Sequence, residues 1–441
     1  HCVSDALAHA FGDDIAFRCV KQLIFQRRTA GIYNKYIHIF LISSVFYPKN
    51  THYFYYTGNA RKIQETNGKK SAFSEKQTKE GCPTGFFAII CEYHPFHYGH
   101  ARQLAAVRAQ NPEMPVLALM SGNFVQRGEV AIWDKYTRAA AAVRAGVDLV
   151  LELPFPYAMS GAAFFADGAI STLASLGCVD RLCFGSESGD LPMLQTVATR
   201  LQSPEFAKKM QQARQTLTLS QVRLTQTVYT ALYGEAFPTE PNDILGVEYL
   251  KAIRKHGGKI EPFVLRRTGK DSATVARRIF WEQPARFSDL VPPAAYACYQ
   301  TASRVASTER LTLPLFAHLR TADPAKLAAY AEVTTDAAYR MCTAANRTTC
   351  LQDLLIGCIN AGYPAARVRR MLLSCLDGIP QTALHTPPAY TTVLAANARG
   401  REGLRILAKT SRIPVFAKPA HADRQADTQA MYRLSCRADA V

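Results

Sequence analysis

The chain has 441 residues, and a typical domain length of about 150 residues suggests two or three domains. With 48% hydrophobic and 20% charged residues it has enough apolar material for sizeable cores, which excludes a wholly disordered protein. The net charge of +17 and the isoelectric point near 9.4 favour a polyanionic partner such as nucleic acid, although a generally basic proteome would also explain them.

Residues 1–84 differ in character from the rest of the chain. An apolar run over residues 36–47 is too short to span a membrane, and the polar, basic stretch after it has no clear period. The first residue is His1 rather than Met. We therefore expect residues 1–84 to be an extension that is disordered or that arises from sequence upstream of the true gene start.

The next stretch, residues 85–110, has the order strand, tight turn, helix. Phe86–Cys91 is an apolar run typical of a strand buried on both faces, and a helical period follows over residues 101–110. His97, Gly99 and His100 therefore lie at a helix N-terminus, where backbone N–H groups and the helix dipole favour an anion. The pattern predicts a phosphate site, and the alternative is that the histidines merely cap the helix.

Together with the strand at Phe86, apolar strands are predicted near Val116, Asp148 and Arg181. They begin about thirty residues apart, with helices between them. This alternation is typical of a parallel sheet, whose ligands bind at the carboxyl ends of the strands. The loops at those ends are rich in glycine and hydrogen-bonding side chains. They cover residues 94–100, 121–128, 152–156 and 184–187.

A second phosphate-binding pattern follows a strand predicted over residues 261–266. Ser272 is a good N-cap, and Thr274 and Arg277 lie three apart on one helix face. Two hydroxyls and a guanidinium at a helix start can bind a phosphate group. Because capped basic helices are common, this pattern indicates a phosphate site only in combination with the histidine turn.

The stretch over residues 203–232 is also predicted to be helical.

From residue 290 the alternation stops and helices are predicted over residues 294–304, 324–343, 350–360 and 365–376. In the last of these, Val368 and Leu372 lie on an apolar stripe, whereas Arg367, Arg369 and Arg370 are expected outside it. Exposed arginines suit phosphate contacts, and a solvated helix face is the alternative. Twelve cysteines without a Cys-x-x-Cys pair favour a reduced, cytoplasmic interior over disulfides or a metal site.

The two phosphate patterns together resemble the HIGH-type nucleotidylyltransferase superfamily. Five further segments, in order, are similar to the bacterial tRNA(Met) cytidine acetate ligase family. They are residues 92–100, 120–128, 148–154, 183–187 and 241–246, and the similarity extends over about residues 85–419. Members usually have Asn where this chain has His94, and a polar residue at Tyr98. The loop before Ser272 is also shorter than in the family.

The resemblance implies an α/β fold: a Rossmann-like parallel sheet of the HIGH nucleotidylyltransferase type, then a mainly helical C-terminal domain. It implies an ATP-binding domain over residues 85–289, a basic helical tRNA-binding domain over residues 290–420 and a tail over residues 421–441. The implied enzyme uses ATP, with Mg²⁺, to activate acetate as acetyl-adenylate. It then acetylates N4 of the wobble cytidine in elongator tRNA(Met).

Site residues follow from the patterns and the resemblance together. His97 and His100 are the expected catalytic residues, and Arg367, Arg369 and Arg370 the expected tRNA-binding residues. The expected ATP-binding residues are Ile90, Cys91, Glu92, Tyr93, His94, Pro95, Phe96, His97, Tyr98, Gly99, His100, Ala101, Arg102, Gln103, Gly185, Asn242, Arg267, Ser272, Thr274 and Arg277. Two alternatives remain open, a small-molecule adenylyltransferase and an RNA-binding homologue impaired in catalysis.

Overall fold

The structure, a computed structural model, describes residues 85–217, 219, 221–267 and 272–440. The predicted extension over residues 1–84 and the short loop before Ser272 lie outside these ranges. Within them, every cysteine is a free thiol. None of the helices in these ranges combines the length and the apolar character that a membrane crossing requires.

A seven-stranded sheet forms the centre of the described part. The strands of the chain are β1 Phe86–Cys91, β2 Val116–Ser121, β3 Phe124–Val125, β4 Glu129–Val130, β5 Leu149–Leu153, β6 Val179–Ser186, β7 Glu261–Arg266, β8 Thr391–Ala396 and β9 Val415–Phe416. The order in the sheet is β7-β6-β1-β2-β5-β8-β9, and β3 and β4 form a separate hairpin. The first five strands of that order are parallel, and β8 is antiparallel to β5. The prediction of a mostly parallel sheet is confirmed.

Helices cover both faces of the sheet, which explains why its strands are continuous apolar runs. The first helices are α1 Tyr98–Gln110, α2 Lys135–Arg144, α3 Ala162–Leu176, α4 Leu191–Leu201, α5 Pro204–Thr216, α6 Gln221–Tyr233, α7 Pro241–Lys255, α8 Ala273–Glu282 and α9 Pro293–Gln300. Along β1, Phe86 and Ala88 pack in one apolar core, and Phe87 and Ile89 pack in the other. Each strand residue is therefore buried whichever face it points to.

The remaining helices are α10 Thr312–Thr321, α11 Pro324–Leu327, α12 Thr335–Arg347, α13 Leu351–Cys358, α14 Ala365–Asp377, α15 Ala398–Thr410 and α16 Ala426–Ala440. Helices α10 to α14 share a third core, to which Met341, Val368 and Leu372 belong. The prediction of a mainly helical C-terminal part is confirmed, and the domain boundary near residue 290 stays a prediction. Strands β8 and β9 were not predicted; they bring this part of the chain back to the sheet.

Two of the predicted helices are wrong as continuous helices. The stretch over residues 324–343 breaks between α11 and α12, where Glu332 has a left-handed backbone (φ 62°) and Thr334 caps α12 by accepting the N–H of Ala337. A bridge between Tyr330 and Pro380 ties the break to the segment after α14. Residues 203–232 likewise divide into α5 and α6, and α1 begins at Tyr98, three residues before its predicted start.

Candidate active site

The turn after β1 places His97 and His100 at the first turn of α1, as predicted. The Nδ1 atom of His97 accepts the backbone N–H of Gly99 at 3.0 Å. The backbone N–H of His97 in turn donates to Nδ1 of His100 at 3.3 Å. The two histidines therefore form a capping box. Both histidines cap the helix, and their phosphate-binding role stays a prediction, which this geometry allows because each ring caps through Nδ1.

Those two hydrogen bonds fix the chemical form of the rings. An Nδ1 atom that accepts a hydrogen bond carries no proton, so the neutral ring carries its proton on Nε2 and can donate from there. Burial lowers the pKa of His100 well below its ordinary value, and the neighbouring His97 and Arg267 lower it further, while a hydrogen bond to the backbone of Pro95 acts against them. His100 is therefore a neutral hydrogen-bond donor at pH 7. The two ring centres lie 3.9 Å apart.

A cavity of about 340 Å³ opens at the carboxyl ends of β1 and β6, in the size range of small-molecule sites. Its position between two strands whose connections run in opposite directions is the usual place for a ligand in such sheets. Most of the predicted ATP-binding residues line it. They are Ile90, Cys91, Glu92, Tyr93, His94, His97, Gly99, His100, Arg102, Gln103, Gly185, Asn242 and Arg267. Their binding role stays a prediction, and the structure brings them together.

The other predicted residues lie elsewhere. Phe96 is fully buried and its N–H donates to the Tyr299 hydroxyl at 2.8 Å, whereas Tyr98 is exposed. Ser272 caps α8 by accepting the N–H of Thr274 at 3.2 Å. Arg277 donates to the carbonyl of His94 at 3.0 Å, so α8 supports the histidine turn directly. Pro95, Ala101, Ser272, Thr274 and Arg277 are not among the residues that line the described cavity.

On the β6 side of the cavity, one carboxylate organises two of the predicted residues. Glu187 accepts the backbone N–H groups of Asn242 and Asp243, each at 3.1 Å, and also the side-chain amide of Asn242. The Nε atom of Arg267 lies 4.0 Å from the same carboxylate. Glu187 thus fixes the start of α7 against the end of β6. Sequence reasoning had identified its loop and had not assigned the residue.

The β3–β4 hairpin supplies a wall of the cavity that the sequence did not predict. Gln126 and Arg127 line the cavity from this hairpin, together with Arg266 from β7. The half-buried carboxylate of Glu92 accepts the N–H of Gln126 at 2.8 Å, which attaches the hairpin to the histidine turn. Residues 120–128 had been identified as a strand-end loop rich in hydrogen-bonding groups. That signal located the wall without indicating which side chains face inward.

Next to this wall lies a buried ion pair. The Nζ atom of Lys135, at the start of α2, is 2.8 Å from a carboxylate oxygen of Glu152 in β5. It is also 2.7 Å from a carboxylate oxygen of Asp439 in α16. The side chain of Lys135 is only 3% exposed, and that of Asp439 is 36% exposed. The last helix is therefore attached to the sheet through a lysine whose side chain is almost completely buried.

The three arginines predicted to bind tRNA differ in their surroundings. Arg367 is half-buried; its guanidinium lies 5.1 Å from the centre of the Tyr363 ring and donates to the carbonyl of Gly362 at 3.2 Å. The expected exposure of Arg370 is wrong, because its side chain is 12% exposed and its guanidinium lies 2.9 Å from Glu332. Arg369 donates to the carbonyl of Arg127 at 3.0 Å. The tRNA-binding role of all three stays a prediction.

His94, at the position where the family resemblance implies Asn, is buried and neutral. Its Nε2 atom accepts the N–H of Ile132 at 2.9 Å, and its Nδ1 atom has no partner among the described residues. Burial lowers its pKa well below the ordinary value, and Arg277 and Arg138 lower it further. Below about pH 6.5 the unfolded chain takes up a proton at this residue while the folded protein does not. Stability must therefore decrease as the pH falls.

We expect the substitution His94→Asn to remove this pH dependence. Between pH 7.5 and pH 5.5 the free energy of unfolding should fall by about 1.4 kcal/mol less in the variant than in the wild type, the value of one proton over one pH unit. Urea denaturation at the two pH values measures it. The exposed His421→Asn is the control and should behave as the wild type. If the free energy of unfolding of the His94 variant depended on pH as strongly as that of the wild type, the prediction would be contradicted.

The sheet, the histidine turn at its carboxyl edge and the cavity between β1 and β6 define an α/β nucleotide-binding protein. A family model described as HIGH nucleotidyl transferase matches residues 85–441. The tRNA(Met) cytidine acetate ligase of Halothermothrix orenii is 32% identical over 361 residues, which cover 74% of this chain and 86% of that protein. The enzyme of the same name from Alkaliphilus metalliredigens is 32% identical over 368 residues, covering 75% and 87%.

A solved structure agrees with these sequence matches. The crystal structure of Thermotoga maritima TmcAL bound with alpha-thio ATP is similar with a TM-score of 0.75 and 27% identity. The match covers 80% of this chain and 92% of that one. The chain belongs to the tRNA(Met) cytidine acetate ligase family of HIGH nucleotidyl transferases. The family and the fold expected from the sequence are confirmed.

Proposed function

We propose that this chain is an ATP-dependent acetate ligase, which forms acetyl-adenylate and acetylates N4 of the wobble cytidine in elongator tRNA(Met). The observation that carries the proposal is the pair of histidines at the start of α1, which cap the helix through Nδ1 and line the cavity. The similar Thermotoga maritima TmcAL was crystallised with an ATP analogue, which supports ATP as the nucleotide.

In the first step, a carboxylate oxygen of acetate attacks the α-phosphorus of ATP. The bond from that phosphorus to the oxygen bridging the β-phosphate breaks, and pyrophosphate leaves with the electron pair. His97 and His100, as neutral donors, together with the N–H groups of α1, bind the phosphates and stabilise the charge that develops. Arg102 and Arg267 add positive charge at the cavity wall. Positioning and electrostatics suffice, because the protein forms no covalent bond.

In the second step, the N4 amine of the cytidine attacks the acetyl carbonyl, AMP leaves, and the amine loses a proton. A wobble base must turn out of the anticodon stack to reach the cavity. The net charge of +17 supports a tRNA substrate, because positive side chains neutralise its phosphates. A protein that acts on tRNA would work in the cytoplasm, in agreement with the cysteine pattern.

We infer that Mg²⁺ arrives with the phosphates of ATP rather than on a site of its own. In the ranges that the structure describes, no group of three or more His, Cys, Asp or Glu side chains is placed to hold a metal ion. Mg²⁺ usually binds through one or two carboxylates and the phosphates of its nucleotide. The ion would neutralise the leaving pyrophosphate.

The experiment is ATP–pyrophosphate exchange by the purified protein, with and without acetate. We expect exchange that depends on acetate and continues without tRNA, because acetyl-adenylate forms before the RNA reacts. Radiolabelled acetate should then appear in elongator tRNA(Met), and a transcript with uridine at the wobble position is the matched control. Exchange that needs another acceptor would favour a small-molecule adenylyltransferase. Absence of exchange, with retained tRNA binding, would favour an impaired RNA-binding homologue.

A further inference from the structure

The β3–β4 hairpin, which carries Gln126 and Arg127 into the cavity, lies directly against α14. Gly128, in the hairpin turn, has a left-handed backbone with φ of 72°. A Cβ atom at this position would lie 2.6 Å from both Cβ of Arg369 and the backbone N of Arg370. Real Cβ atoms do not approach so closely, so only glycine allows the hairpin and the helix this contact.

Two arginines of α14 hold the backbone of the hairpin at the cavity residues. Arg369 donates from Nε to the carbonyl of Arg127 at 3.0 Å, and Arg370 donates from Nη1 to the carbonyl of Gln126 at 3.2 Å. On the other side, the N–H of Gln126 donates to Glu92 of the histidine turn. The peptide units that carry the two cavity side chains are thus fixed from both directions.

Carboxylates fix the arginines in their turn. Arg370 pairs with Glu332 at 2.9 Å, and both side chains are about nine-tenths buried. Glu129 of β4 lies 3.6 Å from Arg369 and 3.7 Å from Arg277 of α8, the helix that supports the histidine turn. An arginine that contacts a tRNA phosphate would have to give up these partners. The positive charges of Arg369 and Arg370 are therefore already paired with carboxylates of the protein itself.

Arg127 is the side chain that this arrangement directs. It lines the cavity. Burial raises the pKa of Glu92, while the N–H of Gln126, Arg277 and Arg127 act against that rise. Its neighbour Gln126 is hydrogen-bonded to Glu92, so Arg127 lines the cavity from a peptide segment attached to the histidine turn. A cation at this wall suits the anionic groups of the reactants, which are the phosphates of ATP and the carboxylate of acetate.

We propose that Arg369 and Arg370 are positioning residues of the adenylate-forming site, holding the β3–β4 hairpin so that Arg127 faces the anionic reactants. The proposal rests on the proposed function and departs from the tRNA-binding role predicted for these residues. In this proposal, the helical part of the chain supports the site at which acetyl-adenylate forms. Loss of the contacts should slow adenylate formation even without RNA, because a small displacement of a charged group reduces the rate strongly.

Two substitutions test the proposal from the two sides of the contact. Arg369→Ala removes one of the two arginines that hold the hairpin. Gly128→Ala keeps both arginines and forces the hairpin away from α14. Each should lower kcat of acetate-dependent ATP–pyrophosphate exchange about tenfold, change the Kd for ATP less than threefold, and leave the Kd for tRNA(Met) unchanged. Arg369→Lys, which keeps the charge beside Glu129, should recover part of the rate.

Matched controls are available for both substitutions. Gly234 has a similar backbone (φ 68°) with no atom within 4 Å of a Cβ position, so Gly234→Ala carries the strain without the contact. Arg347 is exposed in the last turn of α12, so Arg347→Ala removes an arginine at a solvated helix end. Both controls should retain wild-type exchange. Wild-type exchange in Arg369→Ala or Gly128→Ala would overturn the proposal, as would weakened tRNA binding with normal exchange.

Amide hydrogen exchange of residues 124–130 separates this proposal from the proposed function. Arg369→Ala and Gly128→Ala should accelerate hydrogen exchange in this segment, while the two controls should not. The readout needs no activity, so it remains valid if the wild type shows no acetate-dependent exchange and the proposed function fails. Unchanged protection of the hairpin in both variants would overturn the positioning role. A melting temperature within a few degrees of the wild type would show that the fold persists.

Discussion

Replacement of His97 or His100 by Ala is expected to slow acetyl-adenylate formation by 10²-fold or more. Loss of one preorganised donor at a site of developing charge costs a factor of about 10² to 10³ in rate. Both rings also cap α1, so each Ala variant should lose about 1 kcal/mol of stability as well. Acetate-dependent ATP–pyrophosphate exchange measures the rate, and urea denaturation measures the stability.

The substitution His97→Asn distinguishes the helix-capping role of this residue from its proposed role in adenylate formation. Asn is among the best N-cap residues, so His97→Asn should restore most of the stability lost in His97→Ala. In the variant, the side-chain oxygen of Asn would accept the N–H of Gly99. The shorter side chain would then place no N–H donor where Nε2 of the imidazole lies. The exchange rate should therefore stay as low as in His97→Ala. Recovery of the rate together with the stability would mean that the histidine acts only as a cap.

The second large effect is expected at the buried ion pair. The substitution Lys135→Met should reduce the free energy of unfolding by about 3–5 kcal/mol, because it leaves the carboxylate of Glu152 buried without its partner. Burial already raises the pKa of Glu152, and Lys135 opposes that rise. In the variant the carboxyl would take up a proton in the folded state more readily than in the unfolded chain. The lost stability should therefore be partly recovered as the pH falls from 7 towards 5.

Two comparisons define this result. The double substitution Lys135→Met/Glu152→Gln removes the uncompensated charge, so it should be more stable than Lys135→Met at pH 7. Lys255 forms an ion pair with Asp167 at 2.9 Å but is 61% exposed, so Lys255→Met should cost less than about 1 kcal/mol. Urea denaturation at pH 7 and pH 5 supplies all the values. A loss of less than 1 kcal/mol in Lys135→Met would show that the pair contributes little.

The sequence predicted the parts of this molecule whose cause is local. Strand β1 is a continuous apolar run because both of its faces are buried, and α14 was recognised from the stripe that includes Val368 and Leu372. The histidine turn was predicted because a glycine between two histidines, after such a strand, is itself the signal. Each of these elements carries its structural reason within about fifteen residues of chain.

The parts that were missed depend on partners far away in the chain. Arg370 was expected on the surface because its own helix leaves it off the apolar stripe, but Glu332 from another element buries it. Gln126 and Arg127 lie in the turn between two strands of only two residues each, which no periodicity can indicate. The break before α12 is likewise fixed by a bridge to Pro380, beyond the end of α14. Long-range contacts of this kind cannot be read from a local pattern.

The position of β8 has a consequence for synthesis on the ribosome. Strand β5 pairs with β8, and Val150 lies opposite Ala395, a separation of about 245 residues. While the chain is being made, β5 keeps an open, largely apolar edge until residues 391–396 leave the exit tunnel. An unpaired apolar edge is a template for aggregation, and long-range pairing is slow. The nascent chain should therefore depend on chaperones late in its translation, and a stop codon before residue 391 should yield aggregates rather than a smaller folded protein.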